Sequence, residues 1–508
     1  MLIVLLTLRV PAQQVPVVEV TLTNGMRLLM VQRHDEPSIA GGWVAHVGSA
    51  NERPGITGIT HLFEHMMFKG TRTIGTRDPE RDLQIIEEQE RIREQIRKEE
   101  AELRAAWRRG EIDDWRKPEN RTPRLRELEA RFRELVEEQR RLLVKNEFDR
   151  IYTAAGASGM NAFTTEDLTA YFITVPANKL ELWMWMESER LLHPVFREFY
   201  AERDVVFEER RLRIESTPLG RFEETFNALF WQSHPYLWPV VGWPSDIPAI
   251  TKAQADEFYA TYYTPENITL VLVGDFTTNQ AVAMAQRYFG RIPPGNRPPP
   301  EVITEEIAPV AERRMYAEAE ANPQVHIAWL TVPFAHKDSY PLDLLAEILS
   351  HRTGRLYKGL VLGREIATQV SASQNSQKWS GNFRITAEAR EPHTPEEVEK
   401  AIYEELARLQ EEPVPPEELQ KVKNNFAANE YRRLTSNFAI LIQLLLYDGW
   451  GDWREINAAG PKYQAVTAED IQRVARKYFT KEARTVAIYT RKPAAGARAA
   501  GAHPPDQP

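Results

Sequence analysis

The chain has 508 residues, enough for two to four domains of roughly 100–200 residues each. A hydrophobic fraction of 42% allows large cores, and a formal net charge of -9 gives no support to a general binder of nucleic acid or anionic membrane. There is no cysteine, which excludes disulfides, thiolate metal ligands and cysteine nucleophiles, so any metal must sit on His, Asp, Glu or water.

Leu2 to Leu8 form a mostly apolar run that ends before Pro11-Ala12-Gln13-Gln14. The run looks like the end of a secretory signal but lacks a basic start. Residues 1–15 are therefore expected to be a signal-peptide remnant and the protein to be periplasmic or secreted, with the cytoplasm as the alternative. No later stretch is apolar for long enough to span a bilayer.

Two strand-like runs in residues 16–33 flank Asn24-Gly25, a strong hairpin signal. A third strand is expected from Ile39 to Val47. After the turn-rich Asn51-Glu52-Arg53-Pro54-Gly55, the segment from Thr57 to Phe68 has helical periodicity and carries histidines. Residues 78–145 are dense in Glu and Arg. Ile85, Ile92, Ile96 and Leu103, then Leu125, Leu128, Phe132, Leu135, Gln139 and Leu142, mark one mostly apolar stripe. This is a charged helical hairpin closed near residues 110–124, its charges read as solvated faces. Residues 161–176 have strand chemistry, and residues 178–215 read as helix with Leu180, Leu182, Trp183, Met186 and Leu191 as core candidates.

The segments beginning at Thr251 and Thr467 echo each other: Tyr262 meets Tyr478, Tyr263 meets Phe479, Thr264 meets Thr480 and Thr269 meets Thr485. In both, an amphipathic helix feeds a strand, which points to a duplicated α+β unit. The Pro-rich run from Ile292 to Pro300 separates the copies. The expected organisation is an N-terminal α+β domain over 16–290 with the insert at 78–145, a connector over 291–318, a homologous domain over 319–492, and a disordered Ala/Gly/Pro-rich tail over 493–508.

His61 and His65 are four apart, so a helix puts both imidazoles on one face, where they can share an ion. Glu64 reaches the same face and could move protons as a general base. This is the inverted order of the commoner zinc-helix motif. A catalytic zinc site usually takes three protein ligands. Glu202 and Glu209, seven apart on a predicted helix, offer one ligand and one supporting carboxylate, with Glu208 turned away. The alternative is a structural histidine pair and a charged surface helix. His46 reads as structural, His234-Pro235-Tyr236 as a loop, and Trp183 and Trp185 as core or interface. No nucleotide-binding glycine motif is present.

Several segments together give a resemblance to a known family. They are Gly55-x-x-Gly58-x-x-His61-x-x-Glu64-His65-Met66-Met67-Phe68-Lys69-Gly70-Thr71, Asn161-Ala162-Phe163-Thr164, Glu202 through Glu209, and His234-Pro235-Tyr236. Over residues 18–490 the chain resembles the pitrilysin-type metallopeptidases, especially bacterial relatives of the mitochondrial processing peptidase. The resemblance implies duplicated mixed α/β-sandwich domains forming half of a peptidase chamber. It implies one zinc on His61, His65 and Glu209, Glu64 as general base and Glu202 in support. It also implies an edge strand, Asn161, Ala162, Phe163 and Thr164, that pairs with unfolded peptide substrates. One departure stands out. An Arg and a Tyr that usually follow a Gly-Arg-Leu segment fall here at Val361 and Thr368, and neither supplies the needed donor; Arg364 has the wrong spacing. Family members that divide the labour pair a zinc-bearing chain with a homologous subunit that carries the Arg/Tyr pair and lacks the zinc motif, so a heterodimer is expected. A non-catalytic structural subunit and a peptide-binding module are the competing readings.

Overall fold

The computed structural model describes residues 14–492, and most of it is built on two sheets. The expected leader, apart from its last residues, and the expected tail lie outside the described residues. Val15 is buried, with its N–H and carbonyl both bonded to the Asn457 side chain at 2.8 and 2.9 Å, so the folded chain already includes a residue assigned to the leader.

The first sheet contains β1 (Val18–Thr21), β2 (Arg27–Gln32), β3 (Ser38–Ala45), β4 (Ser158–Thr164), β5 (Thr169–Pro176) and β6 (Ile268–Gly274), in the order β1-β2-β6-β3-β5-β4. The second contains β7 (Arg313–Ala319), β8 (Gln324–Thr331), β9 (Ala367–Ser376), β10 (Gly381–Ala389) and β11 (Arg484–Arg491), in the order β7-β11-β8-β10-β9. In each sheet one pair is parallel, β2 with β6 and β7 with β11, and the other pairs are antiparallel. The echo in the sequence therefore extends to a whole topology, with β9 as the counterpart of β4 at the open edge. The helices Lys252–Tyr262 and Ala468–Tyr478 both begin at a threonine capping box, Thr251 with Gln254 and Thr467 with Asp470, and each leads into a central strand. β6 is apolar almost throughout because both its faces are covered.

What covers those faces crosses the sequence. Leu28, Met30, Trp43, Leu270 and Leu272 face one core, and the alternate residues Leu29, Val31, Val44, Val271 and Val273 face another. That second core is completed by Ile440, Leu441, Leu444 and Leu445 from the helix Asn437–Trp450, which belongs to the C-terminal half. Asp448 on this helix accepts from Arg27 at 2.8 Å and pairs with His46 Nε2 at 3.0 Å. In return, Phe226 and Phe230 of the helix Gly220–Phe230 pack on Ala328, Ala487 and Tyr489 of the second sheet. Each half thus lends a helix to the other. The stretch 291–318 separates the halves along the chain only, and its last residues, from Arg313, already form β7.

The insert is two helices, Pro79–Arg108 and Pro123–Leu142, capped by Asp78 and Thr122 with proline in the first turn. Its polar stripe position, Gln139, accepts from Gln89 and donates to Asp82 at 2.8 Å; Asp82 in turn accepts from Arg197 Nε at 2.5 Å. Residues 178–215 are two helices, Leu180–Leu192 and Phe199–Arg210, rather than one. Pro194 removes a backbone donor between them, and Glu198 adopts φ 55°. Residues 161–176 hold a hairpin rather than a continuous strand, turned where Thr165 Oγ1 accepts from the backbone of Asp167 and Leu168. Among the described residues, no helix is long and apolar enough to cross a membrane.

Candidate metal centre

The histidine-bearing helix, Ile59–Met66, starts at Gly58, whose φ is 90° and whose added Cβ would stand 2.5 Å from the Val241 carbonyl. A glycine offers no side-chain cap. The buried carboxylate of Glu52 replaces one, accepting from the Gly58 and Thr60 N–H groups at 2.8 Å each. Asp246 holds the preceding turn through Gly55 N–H and Thr57 Oγ1. The Gly55-x-x-Gly58 approach is thus a tight entry fixed by one nearby carboxylate, Glu52, and one distant carboxylate, Asp246.

The helix Phe199–Arg210 packs against this helix and brings Glu209 to the histidines. Glu209 Oε2 lies 3.7 Å from His61 Nε2 and 3.3 Å from His65 Nε2. Two donors bonded at about 2.0–2.1 Å to one tetrahedral ion stand about 3.3 Å apart, so this set has the spacing of a zinc site. The three donor atoms all fall within 4.8 Å of one another. Burial, aided by the neighbouring His65 and Arg213, pushes His61 down to about 3, so it presents the neutral imidazole a metal requires. The residues present therefore fit zinc.

Each metal-facing group except His61 has a side-chain partner behind it. His65 Nδ1 donates to Glu202 Oε1 at 3.0 Å, which leaves its Nε2 facing Glu209. Glu202 also pairs with Lys69 at 2.5 Å. Arg213, on a π-helical turn that continues this helix, holds Glu209 Oε1 at 2.6 Å and leaves Oε2 toward the imidazoles. Thr164 Oγ1 donates to Glu64 Oε2 at 2.7 Å. Burial pushes Glu64 up, opposed chiefly by that bond from Thr164. Burial also pulls His65 down and pushes Glu202 up. Their mutual bond and the charges around them prevail, so His65 lies above and Glu202 below its ordinary value.

The donors open onto a cleft of about 590 Å³ whose walls include Glu64, Phe68, Asn161 and the insert's exit, Leu143 to Glu147. Asn161, Ala162, Phe163 and Thr164 all lie on β4, the open edge of the first sheet. Val361 and Thr368 lie elsewhere. Val361 is buried in the core of the second half, and Thr368 on β9 donates to Glu388 at 2.7 Å. Arg364 pairs with Glu404 at 2.7 Å. None of these three lines the cleft. Tyr236 of the His-Pro-Tyr motif donates to Asp167 Oδ1 at 2.6 Å and accepts from the Trp379 N–H, tying the β4–β5 turn to the β9–β10 turn.

Sequence reasoning left four supporting groups without a role: Glu52, Lys69, the hydroxyl of Thr164, and Arg213. Only Arg213 carried a local signal, standing four residues after Glu209 on a helix.

Residues 27–92 match the family model Insulinase (Peptidase family M16), and residues 249–426 match Peptidase M16 inactive domain. The chain is 24% identical over 479 residues to the zinc protease PqqE of Helicobacter pylori, covering 92% of this chain and 91% of that protein. It superposes on the crystal structure of a protease from Helicobacter pylori with a TM-score of 0.75 at 23% identity, covering 93% of this chain and 99% of the other. It also superposes on the periplasmic protease PqqL from Escherichia coli with a TM-score of 0.67 at 16% identity, covering 95% of this chain but 48% of that one.

Proposed function

The chain belongs to peptidase family M16, and on that premise we propose that it is a zinc-dependent endopeptidase or oligopeptidase that hydrolyses unfolded peptides. The observation that carries this reading is the convergence of His61 Nε2, His65 Nε2 and Glu209 Oε2 at the spacing of a tetrahedral ion. These three residues would hold one zinc per chain. Zinc bound there would polarise the scissile carbonyl and acidify the attacking water.

The rest is the work of the chain's own groups. Glu64 takes the proton of the attacking water and hands it to the leaving amine. Thr164 fixes Glu64 Oε2, which leaves Oε1 to receive the proton. Glu202 keeps the Nδ1 proton of His65 in place. An extended substrate adds to the free edge of β4 along Asn161 to Thr164, where backbone bonds give affinity with little sequence selectivity.

Val361 and Thr368 offer no donor to the oxyanion, and a lost donor of that kind costs on the order of 3 kcal/mol. The active form is therefore a heterodimer with a homologous subunit that carries the Arg/Tyr pair and lacks the metal motif. The match to about half of PqqL supports a partnership of two such chains. The apolar run at Leu2 to Leu8 supports a periplasmic or secreted location. The Val361 and Thr368 positions favour one competing reading, a non-catalytic structural subunit. Glu64→Gln discriminates: a peptidase keeps its zinc and loses turnover of an unstructured peptide, whereas in a structural subunit the substitution leaves no measurable change. Full activity of the isolated chain would remove the heterodimer from this account.

A further inference from the structure

The insert is anchored at the cleft. Its exit strand pairs back on its entry, with Thr76 bridged to Leu143 and Val144 N–H donating to the Gly75 carbonyl. Glu147 accepts from Gly75 N–H at 2.6 Å. Arg197, buried beneath, donates to Asp82 in the insert's first turn and to the carbonyls of Lys69, Thr71 and Ile74, just beyond the histidine helix. One guanidinium thus fixes the insert to the loop that follows the metal donors. Leu143 to Glu147 form one wall of the same cleft.

Four cations line that cleft: Lys69, Lys145, Arg197 and Arg213. Lys69 is paired with Glu202, Arg197 with Asp82 and Arg213 with Glu209. Lys145 alone has no carboxylate partner among the described residues, and it is exposed. Its neighbour Asn146 turns the chain with φ 53° into the helix Glu147–Ala154, so Lys145 sits at a corner between two held segments.

We propose that the insert's exit is part of the substrate site, and that Lys145 selects peptides with an acidic side chain beside the segment that occupies the cleft. The wall's backbone is tethered at Gly75 and Thr76, and the Lys145 ammonium has no carboxylate partner among the described residues, so an acidic side chain of the ligand can supply one. A single charge contact at a half-open site gives a preference of about fivefold. This inference rests on the peptidase reading for the occupant of the cleft, and it adds a chemical class to it.

The test uses the full chain carrying Glu64→Gln and loaded with zinc. Fluorescein-labelled unstructured peptides, with one Glu moved through successive positions and matched Gln and Lys controls, are titrated by anisotropy. At one position or more the Glu peptide should bind about fivefold more tightly than the Gln peptide. Lys145→Ala should abolish the difference, and Lys145→Glu should turn it into a preference for Lys. Equal ratios in all three proteins, or no peptide binding, would overturn the proposal. Cleavage by the otherwise unaltered chain, purified together with its partner subunit, is measured separately. Turnover without a Lys145-dependent ratio removes this inference and leaves the peptidase reading standing. A Lys145-dependent ratio without turnover does the reverse.

Discussion

Replacing Glu202 by glutamine keeps the shape of the side chain and removes its charge. In the structure its two oxygens have different tasks, Oε1 accepting from His65 Nδ1 at 3.0 Å and Oε2 meeting Lys69 at 2.5 Å. An amide serves only one. With its oxygen toward His65, its NH₂ faces an ammonium; turned over, it presents a donor to the Nδ1 proton. The Lys69 contact is present with or without a metal, so it cancels from metal affinity. What remains is the loss of charge assistance in the His65 bond, about 1–2 kcal/mol from the difference between charged and neutral hydrogen bonds. That corresponds to roughly 5–30-fold weaker zinc binding, within reach of the 10–100-fold typical for groups that orient a metal ligand. Competition against a chromophoric chelator measures it. A change below about twofold would show that Glu202 does not orient His65. A change beyond about a thousandfold would show that it binds the metal itself, and either result refutes the reasoning.

Three further outcomes are expected. Thr164→Val should lower kcat about tenfold with KM nearly unchanged, because it frees the Glu64 carboxylate and removes the bond that chiefly opposes the upward push of burial, and Thr164→Ser should restore most of the loss in steady-state assays. Arg197→Met strands the buried Asp82 carboxylate and three carbonyls. The cost is about 3–5 kcal/mol, seen as a lower thermal midpoint and as protease cleavage within residues 78–145. Asp448 is pushed up by burial, but His46 and Arg27 hold its pKa below the ordinary 3.8. A depressed carboxylate contributes stability that is full above the unfolded value and is lost as pH falls through the folded one. Asp448→Asn should therefore lower the thermal midpoint near neutral pH, and the gap from the parent should close below about pH 3.8.

The elements that show in the sequence are those whose cause is local. Asn24-Gly25 sits between paired strands, with Gly25 at φ 90°. The insert's stripe is buried at Ile85, Ile96, Leu103, Leu125, Leu128 and Leu135. The spacing of His61 and His65 put both on one helical face, and the family resemblance supplied Glu209. The exchanged helices were invisible because their partners lie hundreds of residues away. Leu444 reads as an ordinary apolar helix position whether it packs on its own sheet or on the other. Gln139 looked like a flaw in a stripe and is the joint with Asp82 and Arg197. Thr164 was visible as part of a strand, but its hydroxyl bond to Glu64 spans 100 positions and left no local trace.

The two borrowed helices place the chain among arrangements usually found between separate molecules. Two like units trading one segment each is the plan of a swapped dimer, here with its protomers joined end to end by the proline run near residue 295. A backbone cut in that run would leave two fragments, each with a bare apolar sheet face that only the other can cover. Neither fragment should be recovered soluble alone, and co-expression should return a nicked protein that migrates as one.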